Sequence, residues 1–89
     1  MGAAFIGMDT AAVRQLAVQM DASAEAVEQA MAKLTSQLGS ADWRGNDAAK
    51  FRDEWQNQHC QQLRTVAQSL KNAATTARQN ADAQETTSA

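Results

Sequence analysis

Between Asp9 and Leu38 the large apolar residues fall at Val13, Leu16, Met20, Val27, Met31, Leu34 and Leu38, with Ala24 filling one gap. The steps are threes and fours, which set these side chains on one stripe of an α-helix. Val13, Met20, Val27 and Leu34 recur at every seventh position, the spacing of a coiled-coil seam. Arg14, Asp21, Glu25, Glu28 and Gln29 are assigned to the opposite, polar face. Asp9 suits the N-cap, and Gly39 after the last stripe residue suits a C′ stop. The pattern predicts a helix over 9–38.

A second stripe runs Ala48, Phe51, Trp55, His59, Leu63, Val66, Leu70, Ala73 or Ala74, and Ala77. Asn46 is the expected cap. Asp47, Asp53 and Glu54 load the early turns with negative charge, and Arg64, Lys71 and Arg78 follow, an order that suits the helix dipole. The pattern predicts a helix over 46–80. Beyond Leu70 the stripe fades to Ala, so this end is expected to pack thinly. Residues 82–89 carry no apolar anchor, and 81–89 are expected to form a disordered tail. Residues 1–8 are expected to be flexible.

The connection 39–45 is short enough to force the two helices to lie antiparallel. Helices of these lengths reach about 45 and 50 Å. Two helices cannot enclose a core, because each stripe keeps one side in water. An apolar strip that long is too large to leave exposed on a monomer. The expectation is all-α: an antiparallel hairpin that pairs with a second hairpin in a four-helix bundle. Val13, Leu16, Met20, Val27, Met31, Leu34, Leu38, Phe51, Trp55, Leu63, Val66 and Leu70 are the candidate dimer and core packing residues.

Composition agrees with helix. Of 89 residues, twenty are Ala and eleven are Gln, there is no Pro, and Gly occurs four times. Net charge is −2, with acids accompanying the bases throughout, so a basic nucleic-acid footprint is absent. The lone Cys60 excludes an intrachain disulfide and a multi-cysteine metal site. No signal peptide and no membrane span is evident, so sequence rules alone place the protein in the cytoplasm.

The turn reads Ala41-Asp42-Trp43-Arg44-Gly45-Asn46. A Trp in an exposed loop carries a large apolar area, so the indole is expected to fold back over the hairpin end. Gly45 is expected to let the chain reverse. Here the chain resembles the WXG family, small helical hairpins related to the early secreted antigenic target of mycobacteria. The resemblance rests on Trp43-Arg44-Gly45 in a central turn, then Ala48-Ala49 and Phe51 opening the second helix. Total length and helix lengths also fit, so it covers essentially the whole chain.

The resemblance implies a non-enzymatic protein, made in the bacterial cytoplasm and secreted without a signal peptide. Family members leave as folded dimers through type VII secretion, driven by a membrane ATPase. In the family, the turn Trp and a Tyr-x-x-x-Asp/Glu motif after the partner's second helix form a composite export signal. Trp43 and Gly45 match the turn half. The tail half has no match, because this chain contains no Tyr. The resemblance therefore favours a heterodimer with a tail-bearing WXG-type protein over a homodimer. It leaves open whether the secreted protein acts as an effector or as an export escort.

His59 beside Cys60 suggests a nucleophile–base pair, but adjacent helical residues point about 100° apart. The positions four away from His59 are Trp55 and Leu63, which supply no orienting acid. No catalytic residue, metal site or cofactor is assigned. Trp43 also has a purely structural reading, as a plug over the hairpin end. Two other functions remain at this point: a generic helical-bundle adaptor, and a membrane-active helical protein. The second is disfavoured because the polar faces are mixed in charge rather than basic.

Overall fold

A computed structural model describes residues 7–88. Helix α1 runs Thr10–Ser40, and α2 runs Asn46–Glu54. A π-helical turn, Trp55–His59, joins α2 to α3, Cys60–Ser88, so the second arm is one nearly continuous rod. No strand occurs among the described residues. α1 packs along α3, giving a hairpin that measures 63 × 19 × 13 Å. Asp9 caps α1 as expected, its Oδ1 accepting from the Ala12 N–H at 3.0 Å. The expected flexibility of residues 1–8 falls outside the described residues, apart from Gly7 and Met8.

The seam between the arms is made of small residues. Its fully or nearly fully buried members are Ala17, Ala24, Ala48, Cys60, Ala67, Ala74 and Ala81. Ala17 and Ala24 are seven apart, as are Cys60, Ala67, Ala74 and Ala81. Methyl-sized side chains at this spacing allow two antiparallel helices to approach at the near end of the usual range. The large residues expected to pack the core lie beside this seam. Val13, Met20, Val27, Met31, Leu34, Leu38, Phe51, Trp55, Leu63 and Leu70 are half-buried, and Leu16 and Val66 are exposed.

One edge of the seam is an ion-pair ladder. Arg14 pairs with Asp82 and Glu85 at 2.6 and 2.7 Å, Arg78 with Asp21 at 2.6 Å, and Lys71 with Glu28 at 2.8 Å. As α1 advances by sevens through positions 14, 21 and 28, α3 retreats by sevens through 85, 78 and 71, which fixes the antiparallel register. Arg14, Asp21 and Glu28 were expected on the solvent face. They flank the seam instead, one position beyond Val13, Met20 and Val27. The larger apolar residues therefore occupy the other edge.

Three boundaries differ from expectation. Gly39 does not stop α1; it lies inside the helix, and the extended Ala41 forms the C-cap by donating its N–H to Gln37 O. Asn46 is the first residue of α2 rather than its cap, which is Gly45. The second arm does not end near Asn80, and residues 81–88 are helical rather than a disordered tail. Ala81 continues the buried seam there, and Arg14 holds Asp82 and Glu85. These contacts supply the anchors that the missing large apolar residues would otherwise have given.

The π-turn follows from the spacing of the second stripe. Phe51, Trp55, His59 and Leu63 are separated by three successive steps of four. Each such step overshoots a full α-helical turn by about 40°, so an unbroken α-helix would carry the stripe about 120° off its face. The wider turn, closed by Cys60 N–H donating to Trp55 O, absorbs the drift. It carries the sequence from the aromatic pattern of α2 to the small-residue pattern of α3.

Candidate functional site at the turn

The last carbonyls of α1 have no helical partners of their own. Arg52 supplies donors to this region. Its Nε donates to Leu38 O at 2.9 Å, Nη1 to Trp43 O at 2.7 Å, and Nη2 to Ala41 O at 3.1 Å. One guanidinium thus ends the first helix and holds the loop, which is why α1 stops without a left-handed glycine. Arg52 was not singled out in the sequence. The available signal was a cation nearly two turns into the second helix, within reach of the end of the first.

Trp43 lies between Ala41 and Gly45 with 43% of its surface exposed. Its ring centroid is 6.1 Å from that of Phe51, and the Arg52 guanidinium carbon lies 5.7 Å above it. The indole thus rests on the hairpin end without being enclosed by it. Gly45 has φ +109° and ψ −179°, a region essentially confined to glycine. A Cβ there would meet nothing within 4 Å, so backbone conformation, not crowding, requires the glycine. Arg44 pairs with Asp42 on the outside of the loop at 2.5 Å.

Rings continue along the second arm. Phe51 lies 6.3 Å from Trp55 and 6.2 Å from His59, and Trp55 lies 6.4 Å from His59. Trp55 Nε1 donates to Thr35 Oγ1 at 2.9 Å, and that hydroxyl donates in turn to Met31 O at 2.8 Å. This chain of bonds ties the π-turn to α1. His59 and Cys60 separate as the helix geometry requires: His59 joins the rings, and Cys60 enters the seam. Among the described residues no group of His, Cys, Asp and Glu is arranged to hold a metal ion.

Below the turn, on the edge that carries the ion-pair ladder, a cavity of about 280 Å³ opens between α1 and the second arm. Thr35, Leu38, Trp55 and Cys60 are among its walls. At the far end of the same ladder the Glu85 carboxyl is held below its usual range. Hydrogen bonding by Arg14 is the main cause, and the Thr10 hydroxyl adds to it.

The structure therefore brings together Trp43, Gly45, Phe51 and Trp55 at one end. It spreads Val13, Leu16, Met20, Val27, Leu34, Leu63, Val66 and Leu70 along one edge. Leu38, like Cys60, borders the cavity. Among the described residues no helix is long and apolar enough to cross a membrane. Comparison of the chain with family models, with curated proteins and with solved structures gives no match.

Proposed function

We infer that this chain is a non-enzymatic WXG-type hairpin, exported by type VII secretion as one half of a folded dimer. The observation that carries this reading is the placement of the large apolar side chains. The hairpin closes on a seam of Ala and Cys60, and leaves Leu16 51% and Val66 49% exposed beside a half-buried row of Met, Val and Leu. Such a row is what a second hairpin covers in a four-helix bundle. The turn supplies a second support, since Trp43 is left 43% exposed beside a glycine that the backbone conformation requires.

The partner in this reading is another WXG-type protein, with a heterodimer favoured because the chain has no Tyr to complete a tail signal. The secretion ATPase is the second partner, and the turn is the part offered to it. Outside the cell the dimer acts as an effector or as an escort for another cargo.

The test is export from a type VII-competent host that co-expresses a tail-bearing WXG-type partner. Culture filtrates are compared for the wild type, Trp43→Ala, and a strain lacking the secretion ATPase. The expected result is wild-type protein in the filtrate, and Trp43→Ala retained in the cell as a helical dimer. Export that survives loss of the ATPase would refute the proposal. Wild-type export of Trp43→Ala would remove the turn from the signal.

A further inference from the structure

The ion-pair ladder has a fourth level. Seven residues beyond Glu28 stands Thr35, and seven before Lys71 stands Arg64. The first three levels each join a cation to a carboxylate across the seam. The fourth places a cation opposite a hydroxyl. That hydroxyl already accepts from Trp55 Nε1 and donates to Met31 O. Along its own helix, the neighbours three and four away from Arg64 are Cys60, Gln61, Ala67 and Gln68, none of them acidic. Among the described residues no carboxylate pairs with Arg64.

The cavity of about 280 Å³ lies at this level, with Arg64 and Thr35 in its wall and Leu38, Trp55 and Cys60 giving it an apolar lining. Gly39 also borders it. This glycine sits inside α1 at a negative φ, where the backbone makes no demand for it, and a Cβ built there would meet nothing within 4 Å. Glycine inside a helix is less favourable than alanine. A larger side chain at this position would have room to extend along the cavity wall. Thr35 and Arg64 put the cavity in register with the ladder, on the opposite edge from Val13, Met20, Val27, Leu63 and Leu70.

We propose that this cavity binds a carboxylate carried on a small aryl or alkyl body. The carboxylate completes the fourth level by pairing with Arg64, and the body lies against Leu38 and Trp55. Arg52 adds positive charge nearby while its donors hold the turn. A cavity just below the usual ligand range suits a compound of roughly ten to fifteen heavy atoms. The same chemistry is offered by a free acid and by the C-terminal residue of a peptide.

The test is a titration of the ¹⁵N-labelled full chain, in the assembly it forms, followed by amide and indole NMR shifts. The probes are 3-phenylpropionate, its neutral amide, and a tripeptide ending in Phe with a free carboxylate. The expected result is saturable shifts at the Trp55 indole, Thr35 and Arg64 with a carboxylate, and none with the amide. Arg64→Gln, which keeps a good helix former, should weaken binding about ten-fold or more. Gly39→Leu should abolish it while helicity is retained or rises. Tighter binding of the peptide would identify a chain terminus as the source, and tighter binding of the free acid a small molecule. No saturable shift at about 10 mM probe, or equal shifts with the amide, would overturn the proposal. Neither result depends on export, so the site and the secretion reading fail separately.

Discussion

If the seam is set by small residues, enlarging one of them should harm the hairpin more than truncating a large residue on the open edge. Ala74 is 0% exposed, as is Ala24, and the pairs Asp21–Arg78 and Glu28–Lys71 bracket both. Ala74→Leu forces extra carbons into a closed gap, which costs about 1–3 kcal/mol. The helix-propensity change is only about 0.2 kcal/mol, so packing dominates. Val66→Ala removes roughly two methylene equivalents worth about 0.8 kcal/mol each when buried. At 49% exposure about half of that is at stake, and the gain in helix propensity of about 0.5 kcal/mol offsets most of the rest.

The assay is thermal and urea unfolding followed by circular dichroism, at the lowest concentration where the chain is helical. Each kcal/mol moves the midpoint of a domain this size by roughly 4–8 °C, so Ala74→Leu should lose on the order of 10 °C. Val66→Ala should move little there. At high concentration its loss should grow if the open edge is an interface, whereas the loss from a seam variant depends less on concentration. A larger loss for Val66→Ala than for Ala74→Leu at low concentration would refute the seam assignment.

Other outcomes follow from the same geometry. Arg52→Met removes three charge-assisted bonds to Leu38, Ala41 and Trp43, and should cost about 2 kcal/mol in urea unfolding. Amide exchange in the last turn of α1 should speed up with it, and unchanged exchange would show that the loop holds itself. The depressed Glu85 carboxyl has a definite sign. Its stabilising contribution is present above the ordinary glutamate pKa and is lost as pH falls through the lowered one. Exchange protection over residues 82–88 should therefore fall below about pH 4. Glu85→Gln should flatten that dependence, and a profile unchanged by the substitution would assign the loss to other groups.

The hairpin and its two arms were legible in the spacing of large apolar residues, and the turn in Trp43 and Gly45. The seam was harder to see because twenty Ala residues make any Ala repeat inconspicuous. The sharper signal was charge. Arg14, Asp21 and Glu28 recur at sevens on one helix, and Lys71, Arg78 and Glu85 at sevens on the other, with signs that match only in the antiparallel register. Assigning those charges to the solvent face hid the ladder. The π-turn was implicit in the run of fours from Phe51 to Leu63. The helical end of α3 was missed because its anchors are Ala81 and a guanidinium on the other helix, neither of which resembles an apolar stripe. Gly39, which borders the cavity from inside α1, was disguised as a stop signal by its position near the turn.

The two edges of the hairpin divide geometry from driving force, and this has a measurable consequence. Seam methyls and exposed ion pairs fix spacing and register, but they bury little apolar area, and solvent-facing pairs are worth only about 0–1 kcal/mol each. Most of the apolar area that could stabilise the fold belongs to Met20, Val27, Leu34, Leu63, Leu70 and their neighbours, which the single hairpin leaves half-covered. Burying them against another chain adds free energy that is linked to concentration. The melting midpoint of the chain, or of the chain with its partner, should therefore rise steadily as concentration is raised over two decades. Sedimentation should show the larger species growing over the same range. A midpoint that stays flat while the sample sediments as a monomer would mean that the small-residue seam is sufficient by itself. The open edge would then have another use, and export as half of a dimer would lose its physical basis.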